Sequence, residues 1–230
     1  MSIDEFVKVL EAATRLAAVL IWPALLVFVL VRFGPALGSF FESLGEFSLK
    51  GAGFEASAKR KQAEVAAALA AANASRPEPG ATPETAARDA EDVADLVAET
   101  VTPRVLRKAR RSTVLWVDDR PGNNVNERKS LEALGARFIL ATSTEEALEK
   151  VSRQHVDVII SDMGRPSDPR AGLTLLSKLR EAGNTTPFII YAGSSTPERK
   201  AEARKNGALG LTSRAAELFE YVLSALHLGV

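Results

Sequence analysis

The sequence contains no cysteine in 230 residues. That excludes disulfide frameworks, thiolate nucleophiles and zinc–thiolate sites together. Histidine is almost as scarce: only His155 and His227 are present, so histidine-rich metal sites and most histidine-based triads are excluded as well. No sign of charge dominates. Lys+Arg total 29 and Asp+Glu total 29, giving a net charge of zero and no global basic field to hold nucleic acid. Aromatic residues make up 6%, whereas hydrophobic residues make up 46%, enough for a folded core. The average conceals a strong segregation along the chain.

Leu16 to Val31 is an uninterrupted apolar run of 16 residues bracketed by Arg15 and Arg32. A helix crossing the hydrocarbon layer needs about 20 apolar residues. Ala12, Ala13, Thr14 and Phe33 extend the run, and both arginines can snorkel to the interfaces. Pro23 is tolerated in a membrane helix. A signal peptide is the first alternative, but Asp4, Glu5 and Glu11 precede the run and no clean cleavage site follows. A buried soluble helix is the second, but no neighbouring apolar stretch could cover it on all sides. Residues 1–34 are therefore expected to be a single-pass membrane anchor. Basic residues near the span are nearly balanced. The later cluster Lys59, Arg60 and Lys61 points the C-terminal side toward the cytoplasm.

Residues 35–74 read as a juxtamembrane segment. Within and just before it, Phe33 to Phe47 suits a membrane interface, Ser48 to Ala58 suits a hairpin, and Lys59 to Ala74 is alanine-rich and suits a solvated helix. Residues 75–83 hold three prolines and a glycine and read as a linker. Residues 84–111 read as a connecting helix, acidic at its start and basic at its end, as the helix dipole favours. Its stripe of Val93, Leu96, Val97 and Val101 suits either a dimer seam or packing on the next domain.

Residues 112–230 have a different texture. Short apolar runs (Thr113 to Val117, Arg137 to Ala141, Val156 to Ser161, Phe188 to Tyr191 and Ala208 to Leu211) alternate with helical segments. This pattern predicts an α/β fold with a doubly wound parallel sheet. In such sheets the working residues gather beyond the carboxyl ends of the strands. Asp118 and Asp119 end the first strand and Asp162 ends the third; Ser194 and Ser195 follow the fourth, and Thr212 and Ser213 the fifth. Three carboxylates in one crevice repel one another. A hard divalent cation such as Mg²⁺, which takes oxygen ligands, is the natural counter-charge. It would also neutralise an incoming phosphoryl group, and an aspartate there could accept that group as an acyl phosphate.

The segments VLWVDD (Val114 to Asp119), VIISDM (Val158 to Met163), Pro166, AGLTLLSKLR (Ala171 to Arg180), PFIIYA (Pro187 to Ala192) and NGALG (Asn206 to Gly210) resemble the response-regulator receiver family over about residues 112–228. The resemblance implies a flavodoxin-like sheet of order 2-1-3-4-5, with Asp162 as phosphoacceptor. It implies Mg²⁺ ligation by Asp118, Asp119, Asp162 and the backbone carbonyl of Gly164. It also shows departures. The hydroxyl residue that receivers carry at the end of strand four falls on Ala192, leaving Ser194 as the candidate hydroxyl. The lysine that they carry after strand five is absent, leaving Arg214 as the candidate cation. The aromatic switch position falls on Leu209 or Leu211. The loop after Asp162 is long and polar and adds Arg165, Asp168 and Arg170.

Residues read singly allow plainer roles. Ser194 and Ser195 could only lead into a helix cap, Arg214 could be a surface arginine, Trp116 suits core, and His155 suits an exposed position. The resulting expectation is a membrane-tethered atypical receiver, taking phosphate from a sensor kinase or another phosphodonor and signalling through a partner protein or self-association. It is a phosphoacceptor rather than a turnover enzyme. The alternatives are a pseudo-receiver that only mediates interaction or oligomerisation, and a metal-assisted hydrolase, for which no general base beyond the carboxylates is visible.

Overall fold

The computed structural model describes residues 52–76 and 82–226. The expected membrane span over Leu16 to Val31, the segment Phe33 to Phe47 and residues 77–81 of the proline-rich stretch lie outside them. Among the described residues no helix is long and apolar enough to cross a membrane.

Three helices precede the sheet. Helix α1 spans Ala52–Ser75. It begins inside the segment read as a hairpin, because the run of alanines that follows has high helix propensity and offers no sustained alternation for a strand. Helix α2, Pro83–Thr100, starts at a reciprocal cap. The Thr85 amide donates to Thr82 Oγ1 at 3.3 Å and the Thr82 amide to Thr85 Oγ1 at 2.8 Å. Helix α3, Pro103–Ala109, is a separate element, so the expected continuous helix over 84–111 is divided in two. Pro103 lacks the amide and obstructs the preceding turn, and Thr102 caps the new start by accepting from the Val105 amide at 3.3 Å. The carbonyl of Val101, freed by the break, accepts from Gln62 Nε2 of α1 at 2.9 Å.

Helix α1 is not a solvated rod. Val65, Leu69 and Ala72, spaced by four and three, are fully buried in the same apolar cluster as Val93, Val97, Val101, Val105, Leu106 and Ala109. The valine stripe of α2 thus packs into the domain core.

The sheet is five-stranded and parallel, in the order β2-β1-β3-β4-β5. Its strands are β1 Thr113–Val117, β2 Arg137–Ala141, β3 Val158–Ser161, β4 Phe188–Tyr191 and β5 Gly210–Thr212. Between and after them run α4 Val125–Leu134, entered by a 3₁₀ turn over Pro121–Asn124, then α5 Thr144–Arg153, α6 Ala171–Glu181, α7 Pro197–Lys205 and α8 Ala215–Ala225. The strand period of two divides the core. Val114, Trp116, Val158, Ile160, Ile189 and Tyr191 face α4, α8 and the N-terminal helices. Leu115, Val117, Ile159, Phe188, Ile190 and Leu211 face α6 and its neighbours. One glycine matters to the site: a Cβ at Gly172, in the first turn of α6, would run into the backbone carbonyl of Asp162. The bare Cα lets α6 seat against the end of β3, where the Gly172 amide donates to the Met163 carbonyl at 2.9 Å.

Burial of α1 generates a direct check. Leu69→Ala should lower unfolding stability by about 2–4 kcal/mol, as for a fully buried leucine. Denaturant unfolding followed by circular dichroism measures it, and a change below about 0.5 kcal/mol would mean that α1 is a solvated helix after all.

Candidate functional site: an acidic cluster at the carboxyl edge of the sheet

The register Val117↔Ser161 between β1 and β3 sets the next residues abreast. The ladder extends one step further, since the Asp162 amide donates to the Val117 carbonyl at 3.0 Å and the Asp118 amide to the Ala141 carbonyl at 2.9 Å. Asp118 and Asp162 therefore leave neighbouring strands side by side, with Asp119 next along. Each of the three half-buried carboxylates offers an oxygen within 4.8 Å of the other two. Such a set of hard oxygen donors fits a small divalent cation.

Each carboxylate is held differently. Asp118 is fixed on both oxygens: Oδ1 accepts from the Arg120 amide at 2.7 Å and Oδ2 from Asn124 Nδ2 at 2.6 Å. Asp119 faces Arg120 Nε at 3.3 Å, but that arginine is largely exposed and the pair is weak. Asp162 lies deepest. Its Oδ1 is buried without a hydrogen bond of good geometry, yet stands 2.9 Å from Nη2 of Arg165. Burial pushes the Asp162 carboxyl up to about 6; the Arg165 charge opposes this, while Asp118 and Asp119 push in the same direction as burial.

Arg165 is the residue whose role the sequence did not disclose. Its side chain is only 4% exposed, and its other contacts are Thr144 Oγ1 at 2.8 Å and Ser161 Oγ at 2.7 Å. The loop that carries it is pinned by paired backbone bonds between Arg165 and Asp168, and by Thr174 Oγ1 donating to Asp168 Oδ2 at 2.6 Å. An arginine three residues after a strand-ending aspartate is the only signal that sequence offered.

Asp118, Asp119, Asp162, Gly164, Ser194 and Arg214 line one open cavity of about 1180 Å³. Within it their roles diverge. Ser194 is exposed and accepts from Arg199 Nη1 at 2.8 Å. Arg214 is exposed and heads α8, its amide donating to Thr212 Oγ1 at 3.0 Å. Ala192 is buried and brings no hydroxyl. Ser195 and Ser213 join the loops after β4 and β5 through their Oγ atoms at 3.0 Å. Leu211 is buried and Leu209 exposed. His155 is exposed and meets Asp157 at 3.1 Å, away from the cluster.

The cavity has a wall from outside the sheet domain. Ala72, Asn73 and Arg76, at the end of α1, line it. Arg76 Nη2 donates to Asn124 Oδ1 at 2.5 Å, and its guanidinium lies 4.7 Å from the centre of the Tyr191 ring. The Tyr191 hydroxyl in turn donates to the buried Glu127 at 2.9 Å. Burial first, then the Glu127 charge, holds that hydroxyl above the usual phenol range. No sequence motif marked Asn124, Glu127 or Arg76.

Residues 114–218 match the family model described as response regulator receiver domain. The chain is 34% identical over 111 residues to the sensor protein EvgS of Escherichia coli (strain K12), covering 48% of this chain and 9% of that protein. It is 29% identical over 105 residues to the sensor histidine kinase RcsC of the same strain, covering 46% of this chain and 11% of that protein. The matches thus span about a tenth of the length of these relatives. Among solved structures, the receiver domain of the Francisella response regulator 1452 is 27% identical with a TM-score of 0.46, covering 50% of this chain and 97% of that one. Chemotaxis response regulator CheY4 of Vibrio cholerae is 26% identical with a TM-score of 0.44, covering 50% of this chain and 98% of that one. With the family match falling on β1 through the start of α8 and the acidic cluster standing at the ends of β1 and β3, the α/β domain of this chain is a response regulator receiver domain of two-component signalling.

Proposed function

We propose that this receiver accepts a phosphoryl group on Asp162 in the presence of Mg²⁺, with a sensor kinase or a small phosphodonor as source, and signals through a partner protein or self-association. The observation that carries the proposal is the trio of carboxylates within 4.8 Å, the deepest of them ion-paired to a buried arginine. Asp118, Asp119 and Asp162, with the Gly164 carbonyl, would hold the cation. Bound there, it would supply charge neutralisation for the transferring oxygens.

The chain's own groups do the rest. Arg165 engages one Asp162 oxygen and fixes the carboxylate rotamer, which leaves the second oxygen for the phosphorus. That oxygen forms a new P–O bond as the bond to the donor's leaving group breaks, and the leaving group departs with the electron pair. The product is an acyl phosphate on Asp162. Ser194 and Arg214, on the rim of the same cavity, are candidates to meet the phosphoryl oxygens once it forms. The buried Ala192, where receivers are expected to carry a hydroxyl, favours the second reading: a pseudo-receiver that only mediates interaction.

Incubation of the chain with acetyl phosphate and Mg²⁺, followed by intact mass, distinguishes the two. One added phosphate is expected, absent in Asp162→Asn. Arg165→Ala should slow transfer at least tenfold, a modest share of what a preorganised charge contact typically contributes. No mass shift in the wild-type chain at saturating donor supports the pseudo-receiver.

Stability should also report the crowded charge. The Asp162 carboxyl is raised in the folded chain, so the fold binds its proton more tightly than the unfolded chain does. Its contribution is full below the ordinary carboxylate range, near 4, and is lost as pH rises through about 6. Asp162→Asn removes this titration and also leaves Arg165 without its anion, so the linkage is read from the pH dependence: the melting temperature of the metal-free wild type should rise relative to that of Asp162→Asn as pH falls from 7.5 to 5. A difference that does not change with pH would show that Asp162 is not under charge strain.

The apolar run at Leu16 to Val31 supports a further part of the proposal, tethering to a membrane with the receiver on the cytoplasmic side. The full chain should sediment with membranes through carbonate washing, and Leu25→Arg should release it, since a central arginine costs about 2.5–3.5 kcal/mol on insertion scales. Full-length wild type in the soluble fraction would overturn the tether.

A further inference from the structure

Arg76 lies at the end of α1, outside the residues that match the receiver family, yet its contacts lead to the acidic cluster. Its Nη2 donates to Asn124 Oδ1 at 2.5 Å, and Asn124 Nδ2 donates to Asp118 Oδ2 at 2.6 Å. Asn124 is 1% exposed, so its amide has no solvent to compensate a lost partner. The two ends of an asparagine amide are nearly the same shape and differ in hydrogen-bonding sense. A cation at Oδ1 forces the oxygen toward α1 and the NH₂ toward Asp118. Without that cation the buried amide oxygen loses its charged donor, and the Asp118 bond alone is left to hold the amide. Asp118 Oδ1 is already committed to the Arg120 amide, so the Asn124 bond sets the second oxygen.

Arg76 is itself held on two further sides. Its Nε stands 3.7 Å from Oε1 of Glu127, a carboxylate 2% exposed, and its guanidinium stacks over Tyr191 of β4 at 4.7 Å. Tyr191 bonds the same Glu127 oxygen at 2.9 Å. The guanidinium is thus pre-oriented by β4 and α4 before it meets Asn124. The apolar seat of Val65, Leu69 and Ala72 brings the end of α1 to this place.

We propose that Arg76 is a positioning residue of the acidic site. Docking of α1 orients the Asn124 amide, and through it Asp118, so the divalent-cation affinity of the receiver depends on a helix outside the receiver domain. The proposal rests on the reading that the acidic cluster binds Mg²⁺. By linkage the dependence is reciprocal: cation binding tightens the docking of α1.

The test uses the full chain and Mg²⁺ itself. In calorimetric titration, Asn124→Ala should weaken Mg²⁺ about 10–100-fold, the usual effect of losing an outer-shell partner. Arg76→Ala, acting through Asn124, should weaken it about 3–10-fold, and Arg76→Lys should recover part of that loss. The double variant should bind no more weakly than Asn124→Ala, because the two residues act in series. A purely structural Arg76 would lower the melting temperature and leave affinity alone. Hydrogen exchange needs no variant: amides over 62–76 should slow when wild type is saturated with Mg²⁺. Arg76→Ala binding within twofold of wild type, additive losses in the double variant, or exchange over 62–76 that ignores Mg²⁺ would each overturn this proposal while leaving the phosphoacceptor reading standing. Failure of the wild-type chain to bind Mg²⁺ at all would overturn both.

Discussion

Like charge at close quarters is the constraint around which the receiver is arranged. Three carboxylates with oxygens within 4.8 Å of one another would relax apart if they stood on mobile loops. They stand instead at the last rungs of two adjacent, fully buried strands, where the Asp118 and Asp162 amides are still committed to the ladder. The backbone cannot retreat without breaking those bonds and exposing β1, whose five residues are all buried. Repulsion is thus borne by the sheet and is available as driving force for a cation.

The counter-charges reach the cluster from unusual directions. Arg165 comes from the loop directly after Asp162 and pairs with its carboxylate, with Thr144 and Ser161 holding two of its nitrogens. A buried arginine needs a compensating anion, and Asp162 is the one it faces at 2.9 Å. The loop after β5 supplies Arg214 at the exposed rim and a serine tied to the loop after β4. The buried positive charge therefore stands against the Asp162 carboxylate, and the exposed one stands on the cavity rim. Under the phosphoacceptor reading, such an arrangement favours a fixed aspartate rotamer over a mobile cation that follows the phosphoryl group.

Sequence disclosed the sheet and the trio because both are written in local patterns. Short apolar runs alternating with helical segments give a parallel sheet with Asp118, Asp119 and Asp162 at strand ends, while the strand order observed here was implied only by the resemblance to receivers. Sequence did not disclose Arg165, since an arginine in a polar loop is ordinarily solvated and this one is held instead by Thr144 of α5, Ser161 and Asp162. The fate of α1 was equally hidden. An alanine-rich helix carries a weak apolar face, and Val65 and Leu69 stand out only once a partner surface exists. Division of the connecting helix at Thr102-Pro103 was legible in principle, because a threonine before a proline is a start signal as well as a break. The acidic-to-basic charge gradient across 84–111 suggested one continuous dipole and masked it.

Burial of α1 also changes what the segments before the sheet can transmit. A flexible tether uncouples the elements that it joins, because it absorbs displacement without cost. A helix seated in the core cannot do so. Moving α1 would expose Val65 and Leu69 and pull Arg76 away from Glu127, Tyr191 and Asn124 together. Those contacts belong to β4, α4 and the turn that holds Asp118, so displacement at α1 has no route to relax before it reaches the acidic cluster. The short polar chain Arg76–Asn124–Asp118 is stiff for the same reason that it is costly to break: each link is a charge-assisted hydrogen bond through a residue with no access to water. A signal arriving from the N-terminal side would therefore be felt first as a change in how Asp118 is held.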